Sequence, residues 1–502
     1  MRRLIVCCDG TWSTPHQEHD GVPVPTNVVR LYNAVAEEDP QGVDQLKYYH
    51  PGVGTEGNWW ENVKGGAAGI GLSKNIMSGY RWLCAVYQPG DQMFLFGFSR
   101  GAYSVRSLAG MIGSCGLLDL SGLADDEIWP RVQAAYDGGY RKKNSRWGKN
   151  WKLHAPPKIH FLGVWDTVGA MGVPNDMAIL NILDDRDKYA FQDTSLSKDT
   201  KHARHALALD ETRASFMPAL WTGVQRRRHV KQVWFSGAHS DVGGGYPEIG
   251  LSYCALKWMM DEANAQGLAF HKGMYDQVKP DFQDVLHDSR TGVYKQLRTQ
   301  PRNIPLLVAS AGKSVVHDSA LKRCVDPPIA QAPYRPTAVL KAGDERVLPV
   351  YASSRWNEMG VYLEAGAKCK FTASGQWMDR NIKCGPGGTS DGNFYVGELV
   401  QLAGSLWGKV EGVFQKLMGN EEADFFGTKR EESYPWFALV GAIANCGNPD
   451  SDGTPARHET FLIGEDCTYA PKKPGYLYCF ANDAWHFYGN NRGSVMLTIK
   501  RL

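Results

Sequence analysis

The apolar run from Met93 to Phe98 leads directly into Gly97-Phe98-Ser99-Arg100-Gly101, and helical spacing takes over from Gly101 to Cys115. A short apolar strand, a glycine-flanked serine and then a helix make one βα unit, and a strand this apolar belongs inside a sheet covered on both faces. The same texture recurs along the first two-thirds of the chain. Leu4 to Cys8, Gln45 to His50, Ile159 to Trp165 and Val233 to Ser236 read as strands, and Ile70 to Tyr87 reads as a helix. The expectation is a three-layer α/β domain of the α/β-hydrolase type, a mostly parallel sheet covered by helices.

At 502 residues the chain exceeds what one hydrophobic core usually serves, about 250–300 residues, so two domains are expected. Near residue 345 the pattern changes. Pro327, Pro328, Pro333, Pro336 and Pro349 punctuate a linker, and short strands follow: Gly360 to Leu363, Lys368 to Ser374, Phe437 to Ala444, Tyr476 to Phe480 and Ser494 to Ile499. That spacing predicts a smaller all-β sandwich over 346–502 after an α/β domain over 1–345. Leu399, Leu402, Leu406, Val410, Val413, Phe414 and Leu417 recur at three and four, which predicts an amphipathic helix inserted near 396–418. Its apolar face would pack on the neighbouring domain, touch a membrane peripherally, or cover a site.

The charge balance narrows the partners. Lys plus Arg number 55 against 53 Asp plus Glu, so nothing in the net charge of +2 favours nucleic acid. Met1-Arg2-Arg3 is basic, but the apolar run behind it stops at Asp9, short of the about 7–15 apolar residues of an export signal. The chain is therefore expected to be made in the cytoplasm without a signal peptide and, if it acts elsewhere, to be carried by a dedicated secretion machine. Eleven cysteines with no CxxC pair argue against structural zinc. Cys369, Cys384, Cys446, Cys467 and Cys479 leave one or two disulfides open in the C-terminal third.

A serine at a strand–helix turn suggests nucleophilic catalysis, which needs a base and an orienting acid. Two later strand ends supply candidates. Phe161 to Trp165 ends in Asp166-Thr167-Val168-Gly169, and Val233 to Gly237 ends in Ala238-His239-Ser240-Asp241-Val242-Gly243-Gly244-Gly245-Tyr246. Ser99, Asp166 and His239 fall in the order serine, acid, histidine of α/β-hydrolases. Asp241 is the alternative acid, and His317 the alternative base. Gly10 and Thr11 after the first strand, with the backbone N–H of Arg100 after the serine, are the expected oxyanion donors. The chemistry expected of such a set is ester hydrolysis.

Asp9-Gly10-Thr11-Trp12, Gly52-Val53-Gly54-Thr55, Gly97 to Ala102, Val164 to Gly169 and His239 to Tyr246 together resemble a bacterial and fungal family of α/β-hydrolase-like proteins. Ala208 to Arg213, His317-Asp318-Ser319 and Tyr334-Arg335-Pro336 extend the likeness to about residue 340. The family includes the type VI secretion phospholipase effectors of the first class. The resemblance implies a phospholipase delivered into rival cells, with delivery and immunity proteins as partners.

The loop Asn482-Asp483-Ala484-Trp485-His486-Phe487-Tyr488-Gly489-Asn490-Asn491-Arg492-Gly493-Ser494 is similar to the last loop of bacterial calcium-dependent galactose-binding lectins. The resemblance implies carbohydrate as a further partner and calcium as a ligand. Asp483, Asn490 and Asn491 offer the oxygen donors that calcium prefers, completed by a backbone carbonyl from an earlier loop near Asp379. Phe487 stands where those lectins place a sugar-contacting threonine, so calcium is expected to outlast galactose binding. The competing reading of the whole chain is a carbohydrate-binding protein on a degenerate hydrolase scaffold.

Overall fold

The structure is a computed structural model. It describes all residues except 11–17, 20, 53–66, 145–146, 149, 156, 170–195, 225–226, 292–294, 296–297, 309–314, 390–428 and 449–454. Thr11, the Val53-Gly54-Thr55 turn and the helix expected near 396–418 lie outside the described residues.

Two compact units emerge. The first comprises Met1–Arg302, Leu307–Tyr334 and Gly447–Ala456; the second comprises Asn303–Leu306, Arg335–Cys446 and Arg457–Leu502. Each unit thus includes a short segment distant in sequence from the rest of it.

The first unit is built on six strands: β1 (Arg3–Cys8), β2 (Gln45–His50), β3 (Gln92–Phe98), β4 (Ile159–Trp165), β5 (Thr200–Ala208) and β6 (Val230–Phe235). Their order is β2-β1-β3-β4-β5-β6, and every pair is parallel. Its helices are α1 (Asn27–Ala34), α2 (Ala67–Val86), α3 (Arg100–Cys115), α4 (Asp125–Ala134), α5 (His239–Gly243), α6 (Gly250–Asn264), α7 (Lys272–Gln277) and α8 (Asp318–Val325). Strand side chains alternate between faces, and here both faces are buried. Leu4, Val6 and Cys8 share a core with Tyr80 and Leu83 of α2 and with Val105, Leu108 and Met111 of α3. Ile5 and Cys7 face the other way, into a core with Val28 and Leu31 of α1 and with Leu256 and Met259 of α6. This is why these strands read as unbroken apolar runs.

Within the first unit, Leu220 N–H donates to Asn448 Oδ1 at 2.6 Å and Gln300 Nε2 donates to the Ala456 carbonyl at 2.7 Å. Asn448 and Ala456 are thus hydrogen-bonded to a body whose strands end more than two hundred residues earlier.

The second unit is β throughout its described elements, apart from short 3₁₀ turns. Its strands are β7 (Ala338–Val339), β8 (Glu345–Tyr351), β9 (Asn357–Leu363), β10 (Cys369–Asp379), β11 (Ile382–Cys384), β12 (Leu439–Ala444), β13 (Glu459–Leu462), β14 (Asp466–Tyr469), β15 (Gly475–Ala481) and β16 (Asn491–Arg501). One sheet runs β8-β16-β10-β11 with β14 also on β10; the other runs β13-β12-β15-β9-β7. All pairs are antiparallel except the short β7–β9 contact. Val495, Leu497 and Ile499 of β16 and Phe371 of β10 meet Leu439, Ile443 and Leu477 of the facing sheet in one core. All eleven cysteines are free thiols, so the second unit is held by this packing and carries none of the disulfides left open by its sequence.

Candidate active site

Ser99 sits between β3 and α3 with φ 56° and ψ −122°, a left-handed conformation that a non-glycine residue adopts only under strain. Backbone contacts pin it: its N–H donates to the Trp165 carbonyl at 3.1 Å, and its own carbonyl accepts from Tyr103 N–H at 3.2 Å. The flanking glycines make the turn geometrically feasible. A Cβ on Gly101 would overlap the carbonyl oxygens of Cys8 and Asp9, and one on Gly97 would overlap the start of α3. The helix therefore begins in contact with the end of β1, with Ser99 at its N-cap.

Asp166 follows β4 directly and also has positive φ, 37°. Its carboxylate is completely buried and fully engaged. Oδ1 accepts from Ala208 N–H at 3.0 Å and from Arg302 Nη1 at 2.6 Å; Oδ2 accepts from Arg302 Nη2 at 2.8 Å and from His239 Nδ1 at 2.6 Å. Burial alone would push this carboxyl up. The Arg302 guanidinium and the His239 N–H more than reverse that and hold it well below the usual carboxylate range.

His239 is the first residue of α5 and is buried. Because the ionised Asp166 can only accept, the Nδ1 atom must carry the proton, which leaves a lone pair on Nε2. The ring lies on Phe98, the residue before Ser99, with centroids 4.6 Å apart, and the edge of Phe216 meets it at 5.0 Å. Burial lowers its pKa against the pull of Asp166. Among the described residues no hydrogen bond joins Ser99 Oγ to His239 Nε2. The backbone N–H of His239 donates to Glu211 Oε2 at 3.3 Å; Glu211 in turn accepts from Arg213 Nε and Nη2 at 2.9 and 2.8 Å and from Ser289 Oγ at 2.9 Å.

The alternative residues have other partners. His317 caps α8: its Nδ1 is 2.8 Å from Ser319 Oγ, and its ring stacks on Phe235 at 4.5 Å. Asp241 accepts from Ala238 N–H at 2.9 Å and from His287, through the backbone N–H at 3.1 Å and through Nδ1 at 2.6 Å. His287 Nε2 lies 3.0 Å from Glu248 Oε2, and its ring stacks on Tyr246 at 3.9 Å.

On the proposed oxyanion side, Gly10 is buried and its N–H donates to Asp9 Oδ1 at 2.7 Å. Asp9 Oδ2 accepts from Thr26 Oγ1 and from the Tyr49 hydroxyl, each at 2.8 Å. Burial pushes the Asp9 carboxyl up to about 6 against these donors. Arg100 opens α3, where the first backbone N–H groups of a helix have no intrahelical acceptor.

In the second unit Asp483 is buried; its Oδ1 accepts from Ala484 N–H at 2.7 Å and its Oδ2 from Asn491 Nδ2 at 2.8 Å. Asn491 opens β16 and pairs across the sheet with Asp379, and its Oδ1 is buried with no hydrogen-bond donor among the described residues. Asn490 lies in the preceding turn, where its carbonyl accepts from Arg380 N–H at 3.3 Å. Asp483 and Asn491 therefore touch, and Asn490 is adjacent in the chain. Among the described residues no three His, Cys, Asp or Glu side chains gather as a metal site.

Arg302, Glu211, Arg213 and His287 stand in no motif that the sequence displays as catalytic. Arg302 follows Asp166 by more than a hundred residues in an irregular stretch, and no spacing rule singles it out.

Known proteins add three likenesses. A yeast (Saccharomyces cerevisiae) uncharacterized protein, YEL023C, is 31% identical over 243 residues, 44% of this chain and 33% of that protein. The structure of the Tle1 effector bound to the VgrG spike from the type 6 secretion system is 18% identical, covering 49% of this chain and 52% of that one, with a TM-score of 0.31. The N-terminal PllA-like lectin domain of EclA is 16% identical, covering 31% of this chain and 95% of that one, with a TM-score of 0.19. The chain thus spans a third of the yeast protein and about half of the Tle1 chain. The family described as T6SS phospholipase effector Tle1-like, catalytic domain, matches residues 2–262, more than half of the 502 residues. The match takes in Ser99, Asp166 and His239, and by it the chain belongs to the Tle1-like phospholipase effector family of type VI secretion.

Proposed function

We propose that this chain is a serine-dependent hydrolase of membrane lipid esters, an α/β-hydrolase over residues 1–345 with a lectin-like sandwich over 346–502. The observation that carries the reading is the 2.6 Å Asp166–His239 contact, with the imidazole 4.6 Å from the ring of Phe98, the residue before the strained Ser99. His239 Nε2 takes the proton from Ser99 Oγ as the oxygen attacks the ester carbonyl carbon. The resulting oxyanion is held by the backbone N–H of Arg100 at the start of α3 and, on the sequence expectation, by those of Gly10 and Thr11. Gly10 N–H must exchange Asp9 Oδ1 for the oxyanion. The imidazolium then protonates the departing alkoxide, and water activated by His239 releases the fatty acid from the acyl-serine. Asp166 stays ionised throughout and stabilises the transient positive charge. Family membership supports export by a type VI machine, with delivery-spike and immunity proteins as partners.

The test is covalent labelling by a fluorophosphonate together with a lipid-hydrolysis panel. Wild type should label and cleave phospholipid, and Ser99→Ala should do neither. An unlabelled wild type that binds galactose or another sugar would favour the carbohydrate-binding alternative.

A second reading concerns the sandwich. Asn491, whose Nδ2 donates to the Asp483 carboxylate and whose buried Oδ1 has no donor among the described residues, supports a calcium site, with Asn490 and a carbonyl near Asp379 as further donors. Hard oxygen donors with one strong negative charge suit calcium of modest affinity. Calorimetry with millimolar calcium should show binding that Asp483→Ala removes; an absence of heat in the wild type would sink the site.

A further inference from the structure

The Arg302 guanidinium makes four hydrogen bonds in a region closed to solvent. Besides its two bonds to Asp166, Nη1 donates to the Ala208 carbonyl at 2.8 Å and Nη2 to the Phe216 carbonyl at 2.6 Å. Ala208 ends β5, and Phe216 supplies the ring edge against His239. One planar group thus ties together the carboxylate, the neighbouring strand end and the aromatic wall behind the imidazole. A fork of this kind fixes the plane of a carboxylate as well as its position, which a single donor does not.

We propose that Arg302 is a positioning residue: it holds Asp166 ionised with Oδ2 aimed at His239 Nδ1, and its guanidinium offsets the carboxylate charge that faces the imidazole. The catalytic consequence rests on the serine-hydrolase reading above; the effect on His239 itself does not.

The argument is one of charge balance in a dry site. Asp166 and Arg302 face His239 from one side. Glu211, through Oε2 on the His239 backbone N–H, and Arg213, whose guanidinium lies 3.5 Å over the Phe216 ring, face it from the segment after β5. Asp241, on the histidine's own helix, is turned to His287. Two carboxylates are thus matched by two guanidiniums around a neutral imidazole. Removing one guanidinium leaves the cluster net negative, and the balance at His239 moves toward the imidazolium. An opposite charge within about 4–6 Å typically moves an ionisation by about one to three pH units.

The experiment uses the full chain as wild type, Arg302→Gln and Arg302→Lys, labelled with ¹⁵N-histidine, with His239→Ala to assign the ring. In Arg302→Gln the His239 titration should move up by about one pH unit or more, and the acid limb of fluorophosphonate labelling should move with it. On a soluble ester, kcat should fall by about tenfold or more with KM little changed. Arg302→Lys keeps the charge and loses the fork, so its acid limb should stay near wild type while its plateau falls. An Arg302→Gln protein that melts like wild type and leaves both the His239 titration and the acid limb in place overturns the proposal. If Arg302→Gln does not fold, Arg302→Lys decides, and a wild-type plateau in that variant overturns it. A wild type that fails to label defeats the serine-hydrolase reading alone, because the histidine titration still tests Arg302.

Discussion

His239 and His287 each meet an aspartate through Nδ1 at 2.6 Å, yet the two sites are built for different ends. Around His239 the second nitrogen makes no hydrogen bond among the described residues, and the Arg302 guanidinium answers the carboxylate. Around His287 the second nitrogen is taken by Glu248, and the ring stacks on Tyr246. Burial keeps the first histidine's pKa below its ordinary value. Burial also lowers the second, but Asp241 and Glu248 outweigh it and the net direction is up. A neutral imidazole with a bare nitrogen can accept a proton; a ring held by a carboxylate on each nitrogen has no bare nitrogen to do so. An aspartate on Nδ1 is common to both, so it is the other nitrogen and the counter-charge that separate the base proposed at His239 from the clasp at His287.

The comparison is sharpest in hydrolysis rates. His239→Ala, like Ser99→Ala, should cost about 10⁶-fold in kcat, whereas His287→Ala should cost less than about tenfold. Equal losses from the two histidines would break the distinction. Asp166→Asn comes next, at about 10⁴-fold, since it removes the charge that orients the proton on Nδ1. The same substitution strands Arg302 in the interior and should destabilise the fold by about 3–5 kcal/mol, read as a lower denaturant midpoint. Asp241→Asn acts on the clasp. Losing the charged acceptor for Ala238 N–H and His287 should cost about 1–3 kcal/mol of stability, with kcat reduced only through the looser seat of His239.

The smallest effect is a pH dependence. A raised folded-state pKa means the His287 contribution is fully present below the unfolded value, about 6.5, and is lost as pH rises through the folded value. The stability gap between wild type and His287→Gln should therefore shrink from pH 6 to pH 8, and for a half-buried pair it should stay below about 1 kcal/mol. A gap that widens with pH would mean that His287 is not held as the imidazolium.

Much of this was legible in the sequence because burial writes itself as apolar runs. Met93 to Phe98 and Ile159 to Trp165 announced β3 and β4, and the residues just past them, Ser99 and Asp166, both carry the positive φ that sharp strand exits require. β5 escaped because its sequence reads as polar: Lys201, His202, Arg204 and His205 interrupt it. Two of these are nonetheless buried. Arg204 is matched by Glu262 at 2.6 Å, and His205 accepts from Thr167 N–H at 3.1 Å. Such neutralisation depends on partners remote in sequence, which no local pattern displays. Arg302 was hidden for the same reason, and the choice between Asp166 and Asp241 could not be made from a loop that contains both Asp241 and His239.

The distant segment of the first unit has a consequence in time. Leu220 is seated by Asn448, and Gln300 by Ala456. During synthesis at about 5–20 residues per second, the first unit must wait about 8–30 s after Arg302 is made before its last segment emerges. Through that interval the α/β body stays incomplete on one side, although Ser99, Asp166, His239 and Arg302 already exist in the nascent chain. A truncation at the end of the family match, residue 262, would make that state permanent and would also lack Arg302. The serine, aspartate and histidine would all be present in such a fragment, but the guanidinium that neutralises the buried aspartate would not.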